Sequence, residues 1–175
     1  SCEMLSALSS LALRFVDFCF SGRWRHMGSS TVSGARRFVY ETNVHAVDVF
    51  SIAALKHIFS SFTLIRTRDL ALIAKADIVI DVGGEYDADT GRFDHHQRGG
   101  AGERENGIPY SSFGLIWKKY GTEICQGNQE IAKSVDRSLV SSIDAVDCGH
   151  VEGVAQGISL SQTISMFNPT WQEAS

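Results

Sequence analysis

Asp94-His95-His96, and Asp81 thirteen residues before them, are the residue types in this chain best suited to chemistry. Asp81 closes the apolar run Ile78-Val79-Ile80 and is followed by Gly83 and Gly84. Open α/β sheets place their ligand sites at the carboxyl ends of such strands. A carboxylate is costly to bury there unless it is paired or bound to metal. On an extended segment neighbouring side chains alternate between faces, so Asp94 and His96 share one face and His95 takes the other. Carboxylate and imidazole without thiolate suit Mn²⁺, Mg²⁺ or Zn²⁺, and the mixture favours Mn²⁺ or Zn²⁺ over Ca²⁺. Carboxylates from separate segments suggest two ions about 3.5–4 Å apart, which lower the pKa of a bridging water and clamp phosphoryl oxygens. The chemistry expected is hydrolysis of a phosphate ester. His96 would steady transition-state charge or protonate the leaving group.

Three further clusters add candidates. Asp144 and Asp147 are three apart, which puts both carboxylates on one helical face. A solvated face is the bland alternative, but Ile143, Ala145 and Val146 around them are apolar. His45 and Asp48 stand at the entry of another helix and could share an ion, or simply cap it. Arg98 and Arg104 lie on a Gly-rich loop and are candidates for bidentate phosphate contacts, or are solubilising surface arginines. Gly83 and Gly84 would let a substrate approach the backbone.

The elements that must position these residues follow from periodicity. Residues 46–59 place Val49, Ile52, Ala53 and Ile58 on one helical face. Residues 62–66 read as a short strand, 69–75 as a helix capped by Asp69, and 77–82 as the strand leading to Asp81. Residues 85–91 read as a turn or hairpin and 98–109 as a polar, Gly-rich loop of functional length. A helix is expected from Ser111 or Ser112 to residue 120, and a long one over 128–147 with Asn128 as N-cap. Helices interleaved with short apolar strands argue for an α/β fold, a Rossmann-like three-layer domain with a mainly parallel sheet. Residues 4–20 form an apolar helix pattern, 21–34 a Ser/Gly-rich linker, and the end of the chain is irregular.

At 175 residues, 43% hydrophobic and 21% charged, the chain has the composition of one soluble globular domain. A net charge of −4 argues against a generic nucleic-acid coat, though bound divalent ions would offset local carboxylates. Four cysteines without a C-x-x-C pair argue against a zinc cluster and for free thiols in a reducing compartment. No apolar run reaches the ~18–20 residues of a membrane span. Residues 1–37 hold five arginines and two acids, which also suits a mitochondrial transit segment, although Phe15, Val16, Phe18 and Phe20 fit a docked amphipathic helix better. A cytoplasmic location is expected, or a mitochondrial or nuclear one in a eukaryote, with no secretion signal.

The words IRTRD (65–69), DIVIDVGGEYD (77–87), RFDHHQRGGAGERENGIPYSSFGLIWKKYG (92–121), IDAVDCG (143–149) and FNPTW (167–171) resemble the melanocyte proliferating gene family, within the DHH phosphoesterase superfamily. The likeness covers about residues 44–171. It implies a Rossmann-like sheet, a dinuclear site that is usually manganese, with one or two ions here, and hydrolysis of phosphodiesters, RNA by a 3′–5′ exonuclease route. The partners implied are a phosphodiester or RNA, no membrane, and a homo-oligomer is compatible. By position the metal ligands would be His45, Asp81, His95 and one of Asp144 or Asp147, with Asp94 in support and His96 facing substrate.

Three departures qualify this. The family's first motif resembles T-H-x-G-x-F-H-x-D-D-V-F. Tyr40 stands here for a His and Val47 for an Asp, so two ligands are missing and Asp48 is the neighbour left to compensate. A catalytically weakened binding or scaffold domain is therefore the alternative reading. The family's carboxy-terminal domain, which closes over substrate, is not expected within these residues. Finally, residues 1–40 look like the segment that usually follows FNPTW, which suggests a helical segment 1–40 out of family order before a phosphoesterase domain over 41–175. A rearranged chain, joined segments and chance similarity between amphipathic helices all fit.

Overall fold

A computed structural model describes residues 36–40, 45–150 and Ile164. The strands are β1 (Arg36–Tyr40), β2 (Phe62–Arg66), β3 (Ile78–Ile80), β4 (Tyr86–Asp87) and β5 (Arg92–Phe93). The helices are α1 (Ala46–Ile58), α2 (Leu70–Ile73), α3 (Ser112–Ile124), α4 (Gln129–Val135) and α5 (Ser141–Asp147). The strands form one sheet in the order β2-β1-β3-β5-β4. β1 runs parallel to β2 and β3, β3 runs parallel to β5, and only the β4–β5 pair is antiparallel. This is a mainly parallel α/β sheet with helices on its faces, as the alternation of helical and strand patterns predicts.

Register aligns the strand ends. Tyr40 pairs with Ile80, and Ile80 with Phe93. The next residues of β3 and β5, Asp81 and Asp94, therefore leave the sheet at the same edge. Side chains alternate along each strand. Phe38, Tyr40, Ile78, Ile80 and Phe93 enter the larger core with α1, α3 and α5, whereas Val39 and Val79 face a smaller cluster with Ile73 and Ala76 beside α2. In the larger core Phe38 stacks on Phe62 at 4.2 Å, and the Trp117 Nε1–H donates to the Ala132 carbonyl at 3.1 Å, tying α3 to α4.

Helix boundaries match local chemistry. Asp69 accepts from the Ala71 N–H, and Asn128 from the Glu130 and Ile131 N–H groups, so both cap as their residue types predict. The expected helix 128–147 is continuous but not uniform: residues 136–140 form a π-helical turn between α4 and α5. Apolar spacing alone does not distinguish that wide turn, a feature frequent at functional sites. β1 lies inside the segment set apart as 1–40, and the remainder of the helical reading of 4–20, the linker 21–34 and most of the carboxyl end fall outside the described residues. Among the described residues no helix is long and apolar enough to cross a membrane.

Candidate metal centre

Asp81 is the residue next after β3. Its backbone N–H extends the ladder to the Phe93 carbonyl at 3.0 Å, and its φ of 58° turns the chain out of the sheet. Asp tolerates this left-handed conformation better than most residues, and such backbones cluster at functional sites. The carboxylate is 2% exposed. Its Oδ1 accepts from Ser112 Oγ at 2.7 Å and lies 3.3 Å from His95 Nε2. Burial alone would raise its pKa, but the adjacent His95 imidazole, the Ser112 hydroxyl and the charge of His96 hold it below the ordinary carboxylate value.

Asp94 follows β5 and is 1% exposed. Its Oδ2 accepts from the Gly84 N–H at 2.6 Å, and its Oδ1 from the N–H groups of His95 and His96 and from His96 Nδ1, at 2.7, 3.1 and 2.6 Å. Four donors make it a buttress that fixes the loop and the His96 ring. The His96 side chain is 59% exposed, on Asp94's side, while the His95 ring turns inward, as extended backbone dictates.

His95 is the hinge of the site. Its side chain is 10% exposed, with Nε2 at 3.3 Å from both Asp81 Oδ1 and Asp147 Oδ2. Nδ1 lies 3.5 Å from Cys148 Sγ. Burial would depress this imidazole, but Asp81, Cys148 and Asp147 raise it to about 10. Asp147, at the end of α5, also stands 4.0 Å from His45 Nδ1. Its pKa is pushed up by burial and by the nearby charge of Asp81. His45 opens α1, and its N–H donates to Asp48 Oδ2 at 3.0 Å. Asp48 is wholly buried in the first helical turn, where the helix dipole favours an anion.

These residues make three groups whose ligand atoms lie within 4.8 Å of one another: Asp81-Asp94-His95-His96, His45-Asp48-Asp81 and His95-Asp147-Cys148. Asp81 and His95 each belong to two of them. His95 Nε2 is shut off from solvent without a hydrogen bond although two carboxylate oxygens flank it. Repelling carboxylates around a buried ring nitrogen are the donor set a divalent cation satisfies. The residues present fit such an ion.

Other expected site residues lie elsewhere. Asp144 is wholly buried one turn before Asp147 and accepts from Arg104 Nη2 at 2.8 Å, from the Gly114 N–H at 3.1 Å and from Ser111 Oγ. Burial raises its pKa to about 6, against the pull of Ser111 and Arg104. Asp144 and Asp147 thus do not serve one face together, because α5 meets the α3 core at one residue and the sheet edge at the other. Arg104 is 8% exposed and grips Asp136 through Nε and Nη2 at 2.9 and 2.8 Å, with its guanidinium 4.4 Å from the Tyr110 ring centre. It is placed as an internal clamp, since partners 32 and 40 residues away in sequence meet it in the fold. Arg98 is exposed, as are Gly83 and Gly84, whose φ values are 101° and 70°. Sequence patterning does not mark Ser112 or Cys148. A serine pair at a helix start reads as a cap, and an isolated cysteine carries no spacing signal.

A model of the family described as MYG1_exonuc, Uncharacterised protein family (UPF0160), matches residues 38–175. The chain belongs to this family. A MYG1 protein of Caenorhabditis elegans is 35% identical over 154 residues, covering 74% of this chain and 45% of its own. A mouse protein named MYG1 exonuclease is 32% identical, covering 74% of this chain and 40% of its own. The human MYG1 exonuclease is 35% identical over 132 residues, covering 62% and 35%. The chain therefore spans less than half the length of these relatives. No solved structure gives a significant match. In this MYG1-family chain the two departures of the first motif are buried: Tyr40 is 6% exposed at the end of β1, and Val47 is wholly enclosed in the core. Burial lifts the Tyr40 hydroxyl to about 12, so it stays protonated near neutrality.

Proposed function

We propose that this chain carries the catalytic half-site of a divalent-metal-dependent phosphodiesterase of the DHH type, acting as a 3′–5′ exonuclease on RNA. The carrying observation is the sharing of Asp81 and His95 among groups of ligand atoms within 4.8 Å. The exonuclease names of the mouse and human relatives support the reaction class. His45, Asp48, Asp81, His95 and Asp147 would hold one or two ions, and the carboxylate–imidazole donor set suits Mn²⁺. Such an ion supplies Lewis-acid polarisation of a phosphoryl oxygen and a more acidic water.

The chain's own groups do the rest. Asp94 fixes the His96 ring through Nδ1, which leaves the other ring nitrogen on the exposed side to meet the leaving oxygen. Ser112 holds Asp81 in its rotamer. Arg98, exposed on the loop after the histidines, would contact phosphate, as would the exposed backbone at Gly83-Gly84, where Gly84 has open space beside it. Arg104 and Asp144 support the α3–α5 packing behind it. Incubation of the full chain with end-labelled single-stranded RNA and Mn²⁺ should give stepwise loss from the 3′ end, abolished by chelator and by Asp81→Asn. Hydrolysis that survives the chelator contradicts the proposal.

One observation favours a second reading. Tyr40 and Val47 are built into the core and offer no carboxylate or imidazole. A domain that binds an ion and RNA without turnover fits that loss. Mn²⁺ binding with no hydrolysis above the Asp81→Asn control would decide for it.

A further inference from the structure

We propose that His95, Asp147 and Cys148 form a thiolate-bearing cation position that selects thiophilic divalent ions, Zn²⁺ above all. It rests on the preceding reading only in sharing His95 and Asp147 with the Asp81 position. The three ligand atoms lie within 4.8 Å of one another. Cys148 is a free, partly exposed thiol immediately after α5, so the same helix end delivers Asp147 and the sulfur together. The third ligand is the ring between them. The His95 side chain is 10% exposed, and Nδ1 is the nitrogen it turns toward the sulfur, while Nε2 serves the Asp81 position.

The spacing also fits. With Zn–S near 2.3 Å and Zn–N near 2.0–2.1 Å, two tetrahedral neighbours stand about 3.5 Å apart. Cys148 Sγ and His95 Nδ1 are 3.5 Å apart. Thiolate is a soft ligand that favours Zn²⁺, whereas the carboxylates and imidazoles around Asp81 suit Mn²⁺ or Mg²⁺. The thiol gives its proton to buffer as the ion binds. Because both positions draw on His95, an ion at one weakens the other, and Zn²⁺ antagonises Mn²⁺.

Co²⁺ reports the ligand directly through a thiolate-to-cobalt charge-transfer band in the near ultraviolet. Added to the full chain, Co²⁺ should produce that band, and Cys148→Ser should remove it while Cys125→Ser, a change in the distant core, keeps it. Zn²⁺ affinity measured by calorimetry should fall at least about tenfold in Cys148→Ser, the scale of losing even an outer partner of a metal site, with Mn²⁺ affinity changed less than about twofold. Co²⁺ bound without the band, a band that survives Cys148→Ser, or unchanged Zn²⁺ affinity overturns the thiolate position and leaves the Asp81 position standing. Failure of Co²⁺ and Mn²⁺ to bind at all overturns both.

Discussion

His95 sits where three constraints meet: a carboxylate on each side of Nε2, a thiol at Nδ1, and almost no solvent. In the ion-free chain these neighbours raise the ring from 6.5 to about 10. The protonated ring therefore stabilises the ion-free fold fully below pH 6.5, and that contribution fades as pH rises through about 10. An ion needs the neutral ring, so proton and metal compete. Mn²⁺ affinity should climb steadily between about pH 6 and pH 9, and His95→Gln should flatten the climb. Calorimetric titration across that range checks it, and a flat profile in the unaltered chain speaks against His95 as a ligand. Sequence order alone pointed to this residue, because it follows an acid that follows a strand. Choosing between Asp144 and Asp147 needed the fold: three-residue spacing says that two carboxylates are neighbours, not which of them reaches the sheet edge.

At the scale of elements, α3 is the frame on which the site hangs. Its first residue, Ser112, holds Asp81, and its N-cap, Ser111, holds Asp144. Two residues further, Gly114 lets Asp144 and Arg104 close against the helix. A Cβ there would collide with Asp144 Oδ2 and come within 3.0 Å of Arg104 Nη2. Gly114→Ala should therefore cost at least about 1–3 kcal/mol, the range for overfilling a packed site. Urea denaturation measures this, and an unchanged midpoint would show that α3 and α5 are less tightly joined than described. The helices and the strands β2 and β3 were legible because apolar periodicity and capping residues agree there. β1 was not, since Arg36-Arg37 and a Ser/Gly-rich neighbour mask a strand whose apolar part is short. The two-residue strands β4 and β5 are too short for any pattern. Arg104 looks like a loop arginine in sequence because its acidic partners lie far along the chain.

For the whole molecule, one sheet edge gathers Asp81 and Asp94 by strand register, and brings His45, Asp48 and Asp147 to them from two helices. The chain carries a net charge of −4, so under the proposed function any contact with an anionic strand would depend on bound cations. Ion binding at the sheet edge is therefore the property on which the rest of the site depends. Thermal unfolding of the full chain with increasing Mn²⁺ tests it most directly. At about a hundred times the dissociation constant, a bound ion stabilises by about 2.7 kcal/mol, or roughly 5–10 °C in a chain of this size. Such a rise is expected for the unaltered chain and none for Asp81→Asn. A melting temperature indifferent to Mn²⁺, or an Asp81→Asn chain that responds equally, would contradict it.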